Sequence, residues 1–167
     1  MSDSTALEIL KSAILLERRG RAFYTKVAEQ TQSDAAKRFF NMMADEEEKH
    51  VGILSEHFKN YQQKKTFGPT EYDHTPSDSL SSRVLTEDLK EQLSAADFEA
   101  AAISAAMSME KNAIALYSKR AEAADDPDEK SLYKWLADWE KTHLNFLAEI
   151  DKELTENIWH DNNFWPF

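Results

Sequence analysis

The run DEEEKH, Asp45 to His50, sets three consecutive glutamates just before a histidine. Oxygen and imidazole donors together can hold a divalent cation, while an acidic run of this kind can also be a solvated helix face. On a helix, side chains three or four positions apart share a face, so Glu46 or Glu47 can stand beside His50 and Glu48 cannot. Local spacing leaves both candidates open. A second, sparer motif, WEKTH, carries Glu140 three residues before His143.

Shifting the chain on itself by 93 positions superimposes the two motifs without a gap, as an internal repeat. Glu17 falls on Glu110, Tyr24 on Tyr117, Glu47 on Glu140 and His50 on His143. Trp139 stands opposite Glu46 and Lys141 opposite Glu48, so Glu47 alone among the three glutamates has an acidic counterpart. Glu46 and Glu48 are therefore read as surface charges. Asp45, Glu29 and Glu56 also recur at this offset, but each lies well round its helix from the motif face and is read the same way.

Glu17 lies inside an apolar stripe, seven residues after Leu10 and seven before Tyr24, and Glu110 lies likewise between Ile103 and Tyr117. An unpaired buried carboxylate costs several kcal/mol, and four at one level of a bundle repel one another. Two divalent cations would cancel four carboxylates, with His50 and His143 giving one nitrogen each. The alternatives are a protonated glutamate, or pairing of Glu17 with Arg21 one turn on. One Glu from each of two helices, plus Glu-x-x-His from each of the other two, is the dinuclear ligand set of ferritin-like bundles. Tyr24 and Tyr117 are read as core aromatics near that site.

These residues need long helices to position them. Apolar periodicity predicts a helix from about Thr5 to Gln30 and a second from Ser33 or Asp34 to Gln63, joined by a short link into an antiparallel hairpin. Gly68, Pro69 and Pro76 interrupt helix in a long connection, which carries a possible short helix at Thr86 to Leu93. A third helix is predicted from Ala95 to Ala124 and a fourth from Asp128 to Asn157, with Pro127 at a position helices tolerate. The expected architecture is all-α, an antiparallel four-helix bundle in one domain, 1–167. It comprises hairpin 5–64, crossover 65–94, hairpin 95–157 and an aromatic tail, 158–167, read as packing on a surface.

Composition agrees with helices and narrows the chemistry. Only three glycines and four prolines occur in 167 residues. With 31 acidic against 20 basic residues, the net charge of −11 repels nucleic acid and anionic membranes, so neither is expected as a partner. The absence of cysteine removes disulfides, thiolate metal sites and iron–sulfur clusters. No apolar run approaches the ~20 residues of a membrane span and no basic segment precedes the first apolar residues, so a cytoplasmic protein is expected.

Over nearly its whole length the chain resembles the rubrerythrin branch of the ferritin-like superfamily. The resemblance implies that Glu17, Glu47, His50, Glu110, Glu140 and His143 are metal ligands, with Glu47 and Glu140 bridging and Glu17 and Glu110 terminal. It implies two iron ions, with manganese the alternative, and a homodimer acting in iron oxidation or in peroxide and oxygen detoxification. A non-catalytic iron buffer or delivery protein would use the same ligands. Full-length rubrerythrins carry a cysteine-ligated rubredoxin-like domain, so here electrons are expected from an external donor such as a rubredoxin. Rubrerythrins also tend to carry a second glutamate on the third helix where this chain has Ala113, a departure that bears on peroxidase activity.

Overall fold

The computed structural model describes residues 3–69 and 97–161. Among them the chain forms four helices and no strand: α1 (Asp3–Gln30), α2 (Asp34–Lys64), α3 (Asp97–Ala123) and α4 (Pro127–Asp161). The expected all-α bundle is the observed one, with α1 packed on α2 and α3 on α4 as hairpins. The expected short helix at Thr86 to Leu93, most of the crossover and the aromatic tail beyond residue 161 lie outside the described residues. Helix α4 runs through Asp161 instead of ending at Asn157. Its sequence there contains neither Gly nor Pro, so nothing stops the helix.

Side chains and backbone at the helix ends set the hairpin turns. Ser33 has extended backbone and its hydroxyl accepts from the Ala36 N–H at 3.2 Å, satisfying one of the donors that a helix start leaves over. Asp126 does the same for α4, accepting from the Asp128 and Glu129 N–H groups at 2.8 and 3.2 Å, with Pro127 as the first helical residue. At the end of α2, Lys65 turns into the left-handed region (φ 59°) and donates its N–H to the Tyr61 carbonyl. Close to the second turn, Arg120 of α3 and Glu129 of α4 form a buried ion pair, Nε to Oε1 2.7 Å.

Two apolar clusters fill the bundle. One joins Tyr24, Phe39, Phe40, Met43, Ile103, Phe146 and Ile150. The other joins Leu10, Leu54, Tyr61, Tyr117, Leu132, Tyr133 and Leu136. The order in which each helix visits them fixes its direction. Helix α1 passes from the second cluster to the first, α2 returns, α3 again runs from first to second, and α4 returns. Helix α2 therefore ends at one end of the bundle and α3 starts at the other. The Thr31 hydroxyl, in the first turn, donates to buried Glu99 at the start of α3, which places those two points together. A 27-residue helix at 1.5 Å per residue separates the two ends of the bundle by roughly 40 Å.

Candidate metal centre

Between the two apolar clusters lies a polar layer. On every helix the charged residues fall between members of one cluster and the other: Glu17 between Ala13 and Tyr24, Glu47 and His50 between Ala44 and Leu54, Glu110 between Ala106 and Ala113, and Glu140 and His143 between Ala137 and Phe146. All six are buried, the two histidines completely. They form two groups whose donor atoms lie within 4.8 Å of one another: Glu17, Glu47, His50 and Glu140, and Glu47, Glu110, Glu140 and His143. Glu47 and Glu140 belong to both.

Each imidazole turns Nδ1 toward the carboxylates. His50 Nδ1 lies 3.0 Å from Glu140, 3.2 Å from Glu17 and 3.6 Å from Glu47. His143 Nδ1 lies 3.1 Å from Glu140, 3.8 Å from Glu110 and 3.9 Å from Glu47. Two phenols close the arrangement from opposite sides. Tyr24 of α1 donates to Glu110 of α3, and Tyr117 of α3 donates to Glu17 of α1. These bonds cross because α1 and α3 run in opposite directions. A tyrosine seven residues past a glutamate is about 10 Å further along its own helix, which puts it level with the glutamate of the other.

Burial and crowding divide the protons. Burial, then the Glu140 carboxylate, push Glu47 well above the usual carboxylate range, and the same two causes raise Glu110 against the pull of His143. Burial would raise Glu17 too, but hydrogen bonds with Glu47 and His50, the His50 charge and the Tyr117 hydroxyl bring it down to about 2. Burial disfavours the His50 cation, yet Glu140, and hydrogen bonding to Glu140, Glu17 and Glu47, raise it well above the ordinary imidazole value. His143 is lowered, mainly by burial, against the pull of Glu110 and with His50 adding to the fall. Burial, followed by Glu110 for Tyr24 and by Glu17 for Tyr117, pushes both phenols well above 10, so both remain donors.

The donor set fits a metal. Oxygen and imidazole ligands suit iron, manganese and similar divalent cations. Glu140 Oε1 is buried and lacks a hydrogen bond even though His50 Nδ1 is 3.0 Å away. A buried carboxylate oxygen is thus left over among the clustered donors, where a cation would satisfy it. Arg21, the alternative partner for Glu17, instead pairs with Glu48 on the surface at 2.8 Å.

One surface assignment is corrected. Glu46 is buried, with Oε1 2.6 Å from Lys49 Nζ and Oε2 without a hydrogen-bond partner. A helix in a bundle has two neighbours, so the buried arc of α2 is wider than one stripe. Phe39 against Phe146 and His50 against Trp139 show α2 packing on α4 as well as on α1, and Glu46 influences His143 across that gap. Glu48, Asp45, Glu29 and Glu56 are exposed, as expected.

Sequence reasoning passed over two further residues. The Trp139 indole N–H lies 3.2 Å from His143 Nε2, and its ring meets His50 edge-on at 5.5 Å. The signal was its standing where the other motif has Glu46. Gly20, in a glycine-poor chain, lies mid-helix where glycine costs about 1 kcal/mol relative to alanine. A Cβ there would come 3.3 Å from Glu47 Cδ and 3.4 Å from Oε1. Gly20 thus gives the Glu47 carboxylate its room. Gly20→Ala is expected to lack the usual ~1 kcal/mol helix gain and to weaken metal uptake at least severalfold, read by thermal melts with and without Mn(II). A more stable variant with unchanged uptake would show that the clearance is idle.

A cavity of about 20 Å³ reaches all four carboxylates between Leu16 and Gly20 of α1 and Met109 and Ala113 of α3. It has room for a molecule the size of water. Ala113 is buried at its wall.

Fold and site together define an all-helical bundle with a buried carboxylate and histidine cluster able to hold metal. A family model, Rubrerythrin, matches residues 8–151. The chain belongs to that family. It matches no curated protein and no solved structure. Among the described residues no helix is long and apolar enough to cross a membrane.

Proposed function

We propose that the cluster binds two iron ions and that the protein oxidises Fe(II) with oxygen or peroxide. The observation that carries this reading is the sharing of Glu47 and Glu140 between two donor groups, so that either carboxylate would help to hold both ions. Glu17 with His50 and Glu110 with His143 would complete one position each. Two ferrous ions bound there would supply two electrons, which with two protons reduce one peroxide to two waters. Tyr24 and Tyr117 hold Glu110 and Glu17 in register by donating to them. The apolar clusters on either side exclude bulk water, and the small cavity admits only a small oxidant.

Two features favour iron oxidation over sustained peroxide reduction. The chain has no cysteine to carry an electron-supplying iron site, so each cycle would draw on an external donor such as a rubredoxin. The cavity wall carries Ala113 where a further carboxylate would give a moving iron a second ligand. Fe(II) oxidation is expected to be readily detected, and peroxide turnover with supplied rubredoxin and reductase to be slow. Ala113→Glu is expected to speed the latter severalfold at equal iron content, provided the side chain fits without overpacking. Wild type turning over as fast as a complete rubrerythrin bundle would reverse the order of the two activities. Tight iron binding with no catalytic oxidation would instead favour a buffer or delivery role.

A further inference from the structure

The outer nitrogens of the two imidazoles meet different surroundings. Both rings turn Nδ1 inward, so Nδ1 is the nitrogen a cation would use. A neutral imidazole that gives its Nδ1 lone pair to a metal must carry its single proton on Nε2. His143 Nε2, however, lies 3.2 Å from the Trp139 indole nitrogen. Indole N–H can only donate. That contact therefore requires a bare Nε2 and puts the His143 proton on Nδ1, where Glu140 Oε2 accepts it at 3.1 Å.

His50 is not held in this way. Its Nε2 has no hydrogen-bond partner, and its ring meets Trp135 and Trp139 only edge-on, with centroids 5.9 and 5.5 Å away. The difference traces to one position: where α2 has Glu46, an acceptor, α4 has Trp139, a donor. Glu46 is buried, acts electrostatically on His143 and has one oxygen without a hydrogen bond.

We infer that Trp139 holds His143 in the tautomer that cannot ligate, so that a metal fills the His143 position only at the cost of the Trp139 to His143 bond. Filling that position requires the Trp139 to His143 bond to break, the Nδ1–H bond to break and an Nε2–H bond to form. One proton changes place and none is gained or lost. The inference rests on the metal-binding reading above, and one arm of its test needs no metal.

The test uses the full chain labelled with 15N-histidine, where two-bond 15N–1H correlations separate protonated from bare ring nitrogens, and His143→Gln supplies the assignment. Metal-free wild type is expected to show His143 protonated at Nδ1 and bare at Nε2, and zinc-loaded protein the reverse. Calorimetric titration of metal-free protein with Zn(II) reads the affinity of each step. In Trp139→Phe the affinity of one step should rise about tenfold, the scale of one hydrogen bond, and the metal-free tautomer should shift toward Nε2–H. Protonation of Nε2 in metal-free wild type, or affinities unchanged at both steps in Trp139→Phe, would each overturn the inference. Should Trp139→Phe fail to fold, the wild-type spectra still decide. Failure of wild type to take up zinc would overturn the metal-binding reading itself.

Discussion

Glu47→Ala protein should hold at most one metal ion per chain where the wild type holds two, because Glu47 belongs to both donor groups. Affinity at any position left should fall at least about tenfold, since loss of even an outer partner of a ligand has that effect. Glu48→Ala should keep both ions. Glu48 is about half exposed and paired with an equally exposed Arg21, and removing such a charge shifts stability by at most about 0.5 kcal/mol. Glu46→Ala should fall between them, because Glu46 is buried beside the cluster without being part of it. Metal analysis after anaerobic loading with Fe(II) or Mn(II) reads all three. Equal loss from Glu47→Ala and Glu48→Ala would refute the division of this acidic run into inward and outward residues.

Metal should also reverse the pH dependence of stability. In metal-free protein Glu47 and Glu110 titrate well above their ordinary 4.5 and His50 well above 6.5. A raised group contributes stability that is complete below its unfolded value and is lost as pH rises through its folded value. Glu17, lowered to about 2, works the other way, but its contribution is lost only as pH falls from 4.5 toward 2. His143 and His57 are lowered, mainly by burial, so their contributions are lost as pH falls below 6.5, opposing His50. From about pH 5 upward Glu47 and Glu110 therefore decide the sign, and metal-free protein should melt higher at pH 5.5 than at pH 8. Protons compete with cations for the same atoms, so with Mn(II) the order should invert. At pH 8 and metal about a thousandfold over Kd, the gain is about 4 kcal/mol, a rise on the order of 10 °C for a chain of this size. No rise in protein shown to be metal-free at the start would sink the inward-facing site.

The helices and the six clustered side chains were legible because both depend on periodicity along single helices, and the offset of 93 supplied a second copy of each motif. Glu46 was not legible, because the pattern along one helix marks a stripe and gives no measure of how far a second neighbour widens it. The crossed tyrosine bonds were hidden for a different reason. That Tyr24 serves Glu110 and not its own helix follows from the antiparallel setting of α1 and α3, which only the assembled bundle fixes. Gly20 was visible as an oddity in α1, but its meaning lies in the position of Glu47 on another helix.

The division of the bundle into two hairpins also sets the order in which the chain can fold. Within each hairpin the partners are close in sequence and the turn is short, whereas the tyrosine bonds across the polar layer join residues 86 and 100 apart. Short loops close faster and at lower entropic cost than long ones, so each hairpin can form before the two meet. During synthesis the first hairpin emerges with Glu17, Glu47 and His50 but without Glu140. Neither donor group is complete until α4 has left the ribosome, so a chain stalled after the first hairpin exposes three of the six side chains and has no finished site in which to sequester a reactive metal.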